Sequence, residues 1–599
     1  MKRFFQLLPV LVLALASSVS ASDRRAWIDS SFVLFWRAPV RAHPGVPLDF
    51  QFSVYEADNQ PLSWSLQDAP QGMTISDDGE VDWIPAASDT GSREMGVRVT
   101  RADGVFRERR FRLTTGTRDF LFVSPTGDDG ADGTLARPLR TLEKAMRSIR
   151  GSDGRTILAR EGVYRETYVW ETNGVKAPFG FVRFPEGDYL ELRGYPGERA
   201  VLECGPGGGG LWAFGSSHVV YSNLVVRSAR RGENAGILLG GDSGVAFRVE
   251  VHGSRWSTAD NCTGFKIQGG TGNLIDRSIG HDNRDTTNDH WNNTNFLVYN
   301  DGDPGTIHVL NSVSWGTNTG FKIKHAGPKK LILHNNRSLG DVIGFGVGSR
   351  LSSVRHCVAQ DNGGGIVLGI ADPNPYTTDS VLAEHNTVID PTGWGIQIQH
   401  SYFTGGSVLK RNLVAGRRKA PGSGEGDHRL FGAWIYDNKA TSYPLVLDSN
   451  LYFAPSQANF ARLGNVDPDY GWTRWRSSTP HDAHSVFAPP DFIDTIDGRW
   501  VPGAGSPARF ADGTYAGAYA PGASVSTDPR SKTARWGWRS LPPQTPIQIV
   551  NLRGALVWSG SVGEMSSRRG GENSLLPIRV VWRGPMGRLR SEWMHPVSR

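Results

Sequence analysis

The stretch Thr319-Gly320-Phe321-Lys322-Ile323-Lys324 decides how this chain folds, because its pattern recurs. A small or polar residue followed by alternating apolar positions returns in Ala235-Gly236-Ile237-Leu238-Leu239-Gly240, Thr263-Gly264-Phe265-Lys266-Ile267-Gln268, Thr294-Asn295-Phe296-Leu297-Val298-Tyr299 and Ile343-Gly344-Phe345-Gly346-Val347-Gly348. It returns again in Gly364-Gly365-Ile366-Val367-Leu368-Gly369, Trp394-Gly395-Ile396-Gln397-Ile398-Gln399 and Phe431-Gly432-Ala433-Trp434-Ile435-Tyr436. The second positions fall at 236, 264, 295, 320, 344, 365, 395 and 432, so successive steps are 28, 31, 25, 24, 21, 30 and 37 residues. Repeats of this length, each too small to bury its own apolar face, predict a solenoid with one coil per step. The fold expected is all-β: a right-handed parallel β-helix.

Working outward from the repeats, a second strand is expected in each coil, as in Ile307–Val313 and Val381–Val388. Asn223, Asn311, Asn336, Asn386, Asn412 and Asn450 recur at comparable places in these strands, and stacked asparagines would form an axial hydrogen-bond ladder. Upstream, Thr141 is a suitable N-cap for a short helix over Leu142–Ile149, whose apolar face would cover the open end of the solenoid. The β-helix is assigned to 117–522, with 485–522 as its last coils and closing segment. Residues 22–116 alternate apolar and polar positions between turns and predict a β-sandwich. Residues 523–599 predict a small basic β-rich appendage, in which Trp536, Trp538, Trp558, Trp582 and Trp593 serve as core or as contacts to an anionic surface.

Met1-Lys2-Arg3, the apolar run Phe4–Ala16 and the small residues up to Ala21 read as a secretory signal peptide, 1–21. That run is too short to span a bilayer. A soluble protein, secreted, periplasmic or on the cell surface and monomeric, is therefore expected. Seventy-three glycines and 21% charged residues favour short strands and many turns over helical bundles. The three cysteines, Cys204, Cys262 and Cys357, sit in apolar runs and predict buried free thiols. From Ala523 onward there are twelve basic against four acidic residues, and Lys2 and Arg3 add two more positive charges; the intervening body therefore carries −4 of the chain's +6. The basic character belongs to the tail and gives no ground for nucleic-acid binding by the body.

Alternation places Lys322 and Lys324 outward, with Lys266 and Gln268 two coils earlier and Gln397 and Gln399 three coils later. Coils stack about 4.8 Å apart, so Lys266 and Lys322 would stand about 10 Å apart on one sheet, the scale of neighbouring sugar units. The run Gln268-Gly269-Gly270-Thr271-Gly272-Asn273-Leu274-Ile275-Asp276-Arg277-Ser278-Ile279-Gly280-His281-Asp282-Asn283, followed by Asn318-Thr319-Gly320-Phe321-Lys322-Ile323, is similar to the catalytic coils of the family 9 polysaccharide lyases, the calcium-dependent pectate lyases. The resemblance covers about 235–350 well and the rest of the helix more loosely. It implies that Lys322, matching the lysine of the family's Gly-Phe-Lys segment, is the Brønsted base. Residues 62–85 likewise resemble the cadherin-like or Ig-like modules of bacterial surface enzymes, which implies a spacer or docking role.

The chain departs from the family where calcium is held. Cys262-Thr263-Gly264 and Asn293-Thr294-Asn295-Phe296-Leu297 stand in place of the aspartate segments, and a hard divalent cation needs such carboxylate oxygens. Asp282, Asp285 and Asp289, in and beside an insertion before the third repeat, are candidate replacements for binding Ca²⁺, or Lys266 could neutralise a substrate carboxylate directly. Lys324 and His325 join Lys322 as catalytic candidates; Lys266, Gln268, Trp291, Gln397 and Gln399 are candidates for holding a polysaccharide. Three functions remain open from these residues: a lyase cleaving a uronic-acid-containing chain by β-elimination, a glycoside hydrolase using paired carboxylates in the same groove, and a non-catalytic polysaccharide-binding or adhesin protein.

Overall fold

The computed structural model describes residues 32–523, except 36–39, 49, 149–154, 166–169, 173–174, 178–189, 205–209, 214–216, 228–234, 255–261, 285–292, 300–304, 327–329, 370–377, 400–402, 417–428, 435–444, 458–459, 464–469 and 496–499, and four strands between 546 and 594. The expected signal peptide lies outside the described residues. Three long, all-parallel sheets run the length of the body. The first has twelve strands, from Phe120–Val123 to Leu445–Asp448; the second has twelve, from Gly162–Tyr164 to Val486–Phe487; the third has ten, from Leu211–Ala213 to Ala461–Leu463. The chain visits them in turn, which makes a right-handed parallel β-helix.

The eight repeats are strands of the third sheet. Phe265, Phe296, Phe321 and Phe345 stack in its core face, with ring centroids 4.8, 4.6 and 5.0 Å apart and planes within 12° of parallel. The glycine that precedes them is a consequence of crowding. A Cβ on Gly320 would lie 2.5 Å from Asp341 Oδ2, and one on Gly264 or Gly344 would lie 2.6 or 2.4 Å from the side chain of Asn283 or Asn362. Only Asn295 breaks that pattern among the central coils, and its amide joins the same buried polar stack through Asn283, Ser314 Oγ and the Trp315 carbonyl. One expected register is corrected: Gly432 pairs with Gln397, not with Gly395. A slip of two residues leaves alternation unchanged, so the pattern alone could not distinguish the two.

What was expected as one second strand is two. Thr306–Leu310 belongs to the first sheet and Val313–Trp315 to the second, and the bend lies at Asn311, whose φ is +49°. Asn223 occupies the same left-handed corner (φ +54°), so these two asparagines are corner residues, which asparagine tolerates, and not members of the ladder. The ladder one residue further on is formed by Asn336, Asn386, Asn412 and Asn450. Asn412 donates to the Ala383 carbonyl at 3.0 Å, and its Oδ1 accepts from the backbone and side-chain amides of Asn386 at 3.1 and 2.9 Å. It is fully buried. Asn412→Ala should therefore cost about 3 kcal/mol by stranding several buried partners at once, read as a fall in the denaturant midpoint without a change in slope.

A second polar stack runs along the corner between the second and third sheets. Asp341 receives Ser314 Oγ at 2.7 Å, Ser338 Oγ at 2.6 Å and the Thr317 amide at 3.0 Å. Burial pushes its carboxyl up to about 7, the hydrogen bonds opposing. The folded state thus keeps a proton that the unfolded chain releases near its ordinary value, and stability falls as pH rises from about 4 to 7. At about 1.4 kcal/mol per pH unit, the upper bound is about 4 kcal/mol. Asp341→Asn should abolish that part of the decline in denaturation midpoints measured from pH 4 to 8.

Both ends are closed. The helix Leu142–Ser148 buries Leu142 and Ala145 at one end, with its Lys144 amide bonded to Thr141 Oγ1 as the sequence indicates. At the other, a helix not foreseen, Trp472–Ser478, packs Trp472 and Trp475 on Tyr452 and Phe460. Beyond Val486–Phe487, the described residues of 488–522 lie against the outer face of the second sheet and add no strand to the three long sheets. Trp500, Ala508, Ala516 and Ala518 cover Val358, Ile389, Leu413 and Leu451 there. Cys204, Cys262 and Cys357 are buried free thiols.

Residues 32–115 form three small sheets around a core that includes Phe52, Trp83, Val97 and Leu113. Tyr55 and Ala57 of this region, with Val33 and Phe35 beside them, pack on Val220, Phe247, Leu274 and Leu310, the outer face of the first sheet. Hydrogen bonds from Arg248 to Gln51 and from Arg355 to Asp58, at 2.8 and 3.0 Å, fix the contact. Near the C-terminus the strands Pro546–Val550, Leu556–Ser561, Ile578–Arg583 and Leu589–Met594 make one antiparallel sheet. Among the described residues no helix is long and apolar enough to cross a membrane.

Candidate functional site

Register places Lys266, Leu297, Lys322, Gly346, Val367 and Gln397 in one row on the outward face of the third sheet. Gln268, Tyr299 and Lys324 form the adjacent row. The lysines expected on one face are thus on one face, two coils apart. Outward is not exposed, however: Lys266 and Lys322 are each only 5% accessible, and Leu297 between them is buried. A lysine kept for solubility would stand in water, so burial removes that reading.

Burial lowers the Lys322 amine to about 7, with the charge of Lys324 as a second cause. Lys266, two coils away, is not among the causes of this shift. The Lys266 ammonium instead lies 5.3 Å from the centroid of the Tyr299 ring, a cation–π contact. Lys322 therefore has a large neutral fraction near neutral pH, while Lys266 has an aromatic partner suited to its charged form. Gly346, on the next coil of the row, leaves no side chain over that side of Lys322.

The remaining candidates separate. Lys324 is half-buried beside Lys322 in the same strand. Gln397 and Gln399 lie on the same face three coils on, with their amides 3.4 Å apart. Gln268 is half-buried and pairs across to Tyr299. Asp285, Asp289 and Trp291 lie outside the described residues, as does the side chain of His325. Asp282 is a left-handed corner residue (φ +53°) at the end of the second sheet, and its carboxylate binds His281 Nδ1 at 2.8 Å. One of its two carboxylate oxygens is thereby engaged by an imidazole. No Asp or Glu occurs in any of the ten described strands of the third sheet.

Sequence reasoning missed a group on the second sheet: Glu250, His252 and His281, whose ligand atoms lie within 4.8 Å of one another. Its signal was present, since His252 and His281 are 29 residues apart, one coil step, and Glu250 is two residues before the first.

The fold and the row define the class: a right-handed parallel β-helix with two buried lysines on the outward face of its third sheet. No known family model matches the chain. Among solved structures it is similar to pectate lyase Pel9A, at 14% identity and a TM-score of 0.42, covering 68% of this chain and 95% of that one. It is also similar to a rhamnogalacturonan lyase, at 15% identity and a TM-score of 0.40, covering 63% and 91%. The uncharacterized protein YwoF of Bacillus subtilis (strain 168) is 34% identical over 87 residues, 14% of this chain; the match spans only 16% of that curated relative's length.

Proposed function

We propose that this chain is a polysaccharide lyase acting outside the cytoplasm, cleaving a uronic-acid-containing polysaccharide by β-elimination with Lys322 as the base. The observation that carries the reading is a lysine on the outward face of the coil, buried to 5% exposure and lowered to about 7. In the reaction the neutral amine takes the C5 proton, the C5–H electron pair forms the C4–C5 double bond, and the O4 glycosidic bond breaks with its electrons on the leaving oxygen, which takes up a proton. A base whose pKa lies near the working pH is suited to the first step. The uronate carboxylate must be neutralised as charge spreads onto it. Lys266, two coils along the same row and 5.3 Å from the centroid of the Tyr299 ring, is placed to neutralise that carboxylate in place of calcium.

A hydrolase would need two carboxylates across the scissile bond, and because the described strands of this sheet carry no Asp or Glu, such a pair would have to come from the turns beside it. Incubating the protein with pectate, alginate and glycosaminoglycan panels tests the proposal. Unsaturated product absorbing in the ultraviolet is the expected outcome. Reducing sugar without that absorbance would instead establish hydrolysis, and tight binding without any product would establish a non-catalytic role.

A further inference from the structure

On the second sheet, away from the lysine row, Glu250 and His252 share one strand and His281 lies on the next coil, paired in register with His252. Alternation turns all three toward the outer face, since Val251 between the first two is in the solenoid core. His252 and His281 stack with planes 4° apart and centroids 4.7 Å apart, and the Trp315 ring continues the stack at 4.4 Å. Both imidazoles direct Nε2 at the same carboxylate oxygen, Glu250 Oε1, at 3.7 Å from His252 and 3.5 Å from His281.

Those separations are long for hydrogen bonds, whose N···O distances centre near 2.9 Å. They match another geometry. Two ligands of a tetrahedral ion with bonds of about 2.1 Å are about 3.4 Å apart. His281 is also oriented from behind: its Nδ1 is held by the Asp282 carboxylate at 2.8 Å, the carboxylate–histidine arrangement that fixes a metal-binding imidazole with Nε2 as the ligand atom. Arg199 approaches Glu250 at 3.2 and 3.3 Å, one contact to each oxygen; it is the competitor that an ion must outweigh.

We infer that Glu250, His252 and His281 form a binding site for a borderline-soft divalent cation of the Zn²⁺ class, with Asp282 as the residue that positions His281. Two nitrogens and one carboxylate oxygen suit such an ion, whereas Ca²⁺ takes six to eight oxygens. Three protein ligands leave a fourth position for water or an exogenous group. Because the two rings are parallel, an ion cannot lie in both ring planes at once; His252, the more exposed at 26% against 4%, is the ring that tilts. Binding ties two successive coils together at the corner where the chain leaves the second sheet for the third.

The test uses the full chain, stripped with chelator, dialysed and titrated with Zn²⁺ alone by calorimetry, with bound metal counted by elemental analysis. About one Zn²⁺ per chain is expected, with a rise in Tm that Ca²⁺ does not reproduce. His252→Ala removes a half-exposed ring and should lose the ion and the Tm response while melting as the stripped wild type does. Asp282→Asn keeps all three ligands and should weaken binding by about 10- to 100-fold. The site is overturned if the wild-type chain takes up no Zn²⁺, or if His252→Ala binds it with unchanged stoichiometry and affinity. Should His252→Ala fail to fold, the Asp282→Asn titration decides: an affinity equal to wild type overturns the assignment.

Discussion

Replacing Lys322 with alanine should lower kcat for polyuronate cleavage by about 10²- to 10⁴-fold, the usual contribution of a positioned general base, with little change in KM. The residue takes a proton only in the transition state, and so contributes little to ground-state binding. Arginine should not rescue the activity, because a guanidinium stays protonated at any working pH. Folding should survive both changes, since the core of this strand is formed by Phe321 and Ile323 on the opposite face. Removing a buried amine also removes its desolvation cost. Between about pH 7 and the ordinary lysine value, the unfolded chain binds a proton that the folded amine has lost, so this group lets stability rise with pH across that window. Lys322→Ala should lose that rise, and a chemical-denaturation series from pH 6 to 9 reads it independently of catalysis.

The second large effect concerns calcium. Activity should be the same, within about twofold, in Ca²⁺ and in chelator, and Lys266→Ala should lower kcat/KM by about 10²- to 10³-fold, the scale of losing one preorganised group that stabilises developing negative charge. Lys266 fits this role because it is buried, lies in register with Lys322 and is held over Tyr299. Tyr299→Leu should give a smaller loss of the same kind. If chelator abolishes cleavage and Ca²⁺ restores it, the charge on the substrate is neutralised by an ion, and Lys266 has another role.

Much of the β-helix is legible in the amino-acid sequence, and for a specific reason. Each coil repeats one strand whose apolar positions face a continuous core, so the Gly-Phe-Lys-Ile pattern signals periodicity and facing together. The glycine is informative as well, since the polar stack of Asn283, Asp341 and Asn362 leaves no room for a Cβ. What the pattern cannot carry is anything invariant to a two-residue slip, hence the misplaced Gly432, or anything that depends on which residue of a corner turns left-handed, hence Asn223 and Asn311.

The lysine row is legible as a row, because alternation and coil spacing are one-dimensional facts. Its burial is not. Whether an outward residue meets water depends on what lies over that face, and no periodicity in the strand records it. The Glu250–His252–His281 group escaped notice for a related reason: its members come from two coils of a sheet whose strands are only three residues long there, too short to display a pattern. The packing of residues 500–522 on the second sheet is a tertiary event with no local signature beyond the small residues Ala508, Ala516 and Ala518 that permit close approach.

The central claim is that a buried, outward-facing lysine acts as the base, and the pH dependence of kcat/KM on a polyuronate substrate tests it most directly. The account expects the rate of unsaturated-product formation to rise with pH through a single ionisation near 7, set by Lys322 in the free enzyme, and to level off above it. A rate still climbing through pH 9 toward the range of an ordinary lysine, or the same ionisation near 7 retained in the residual activity of Lys322→Ala, would contradict it.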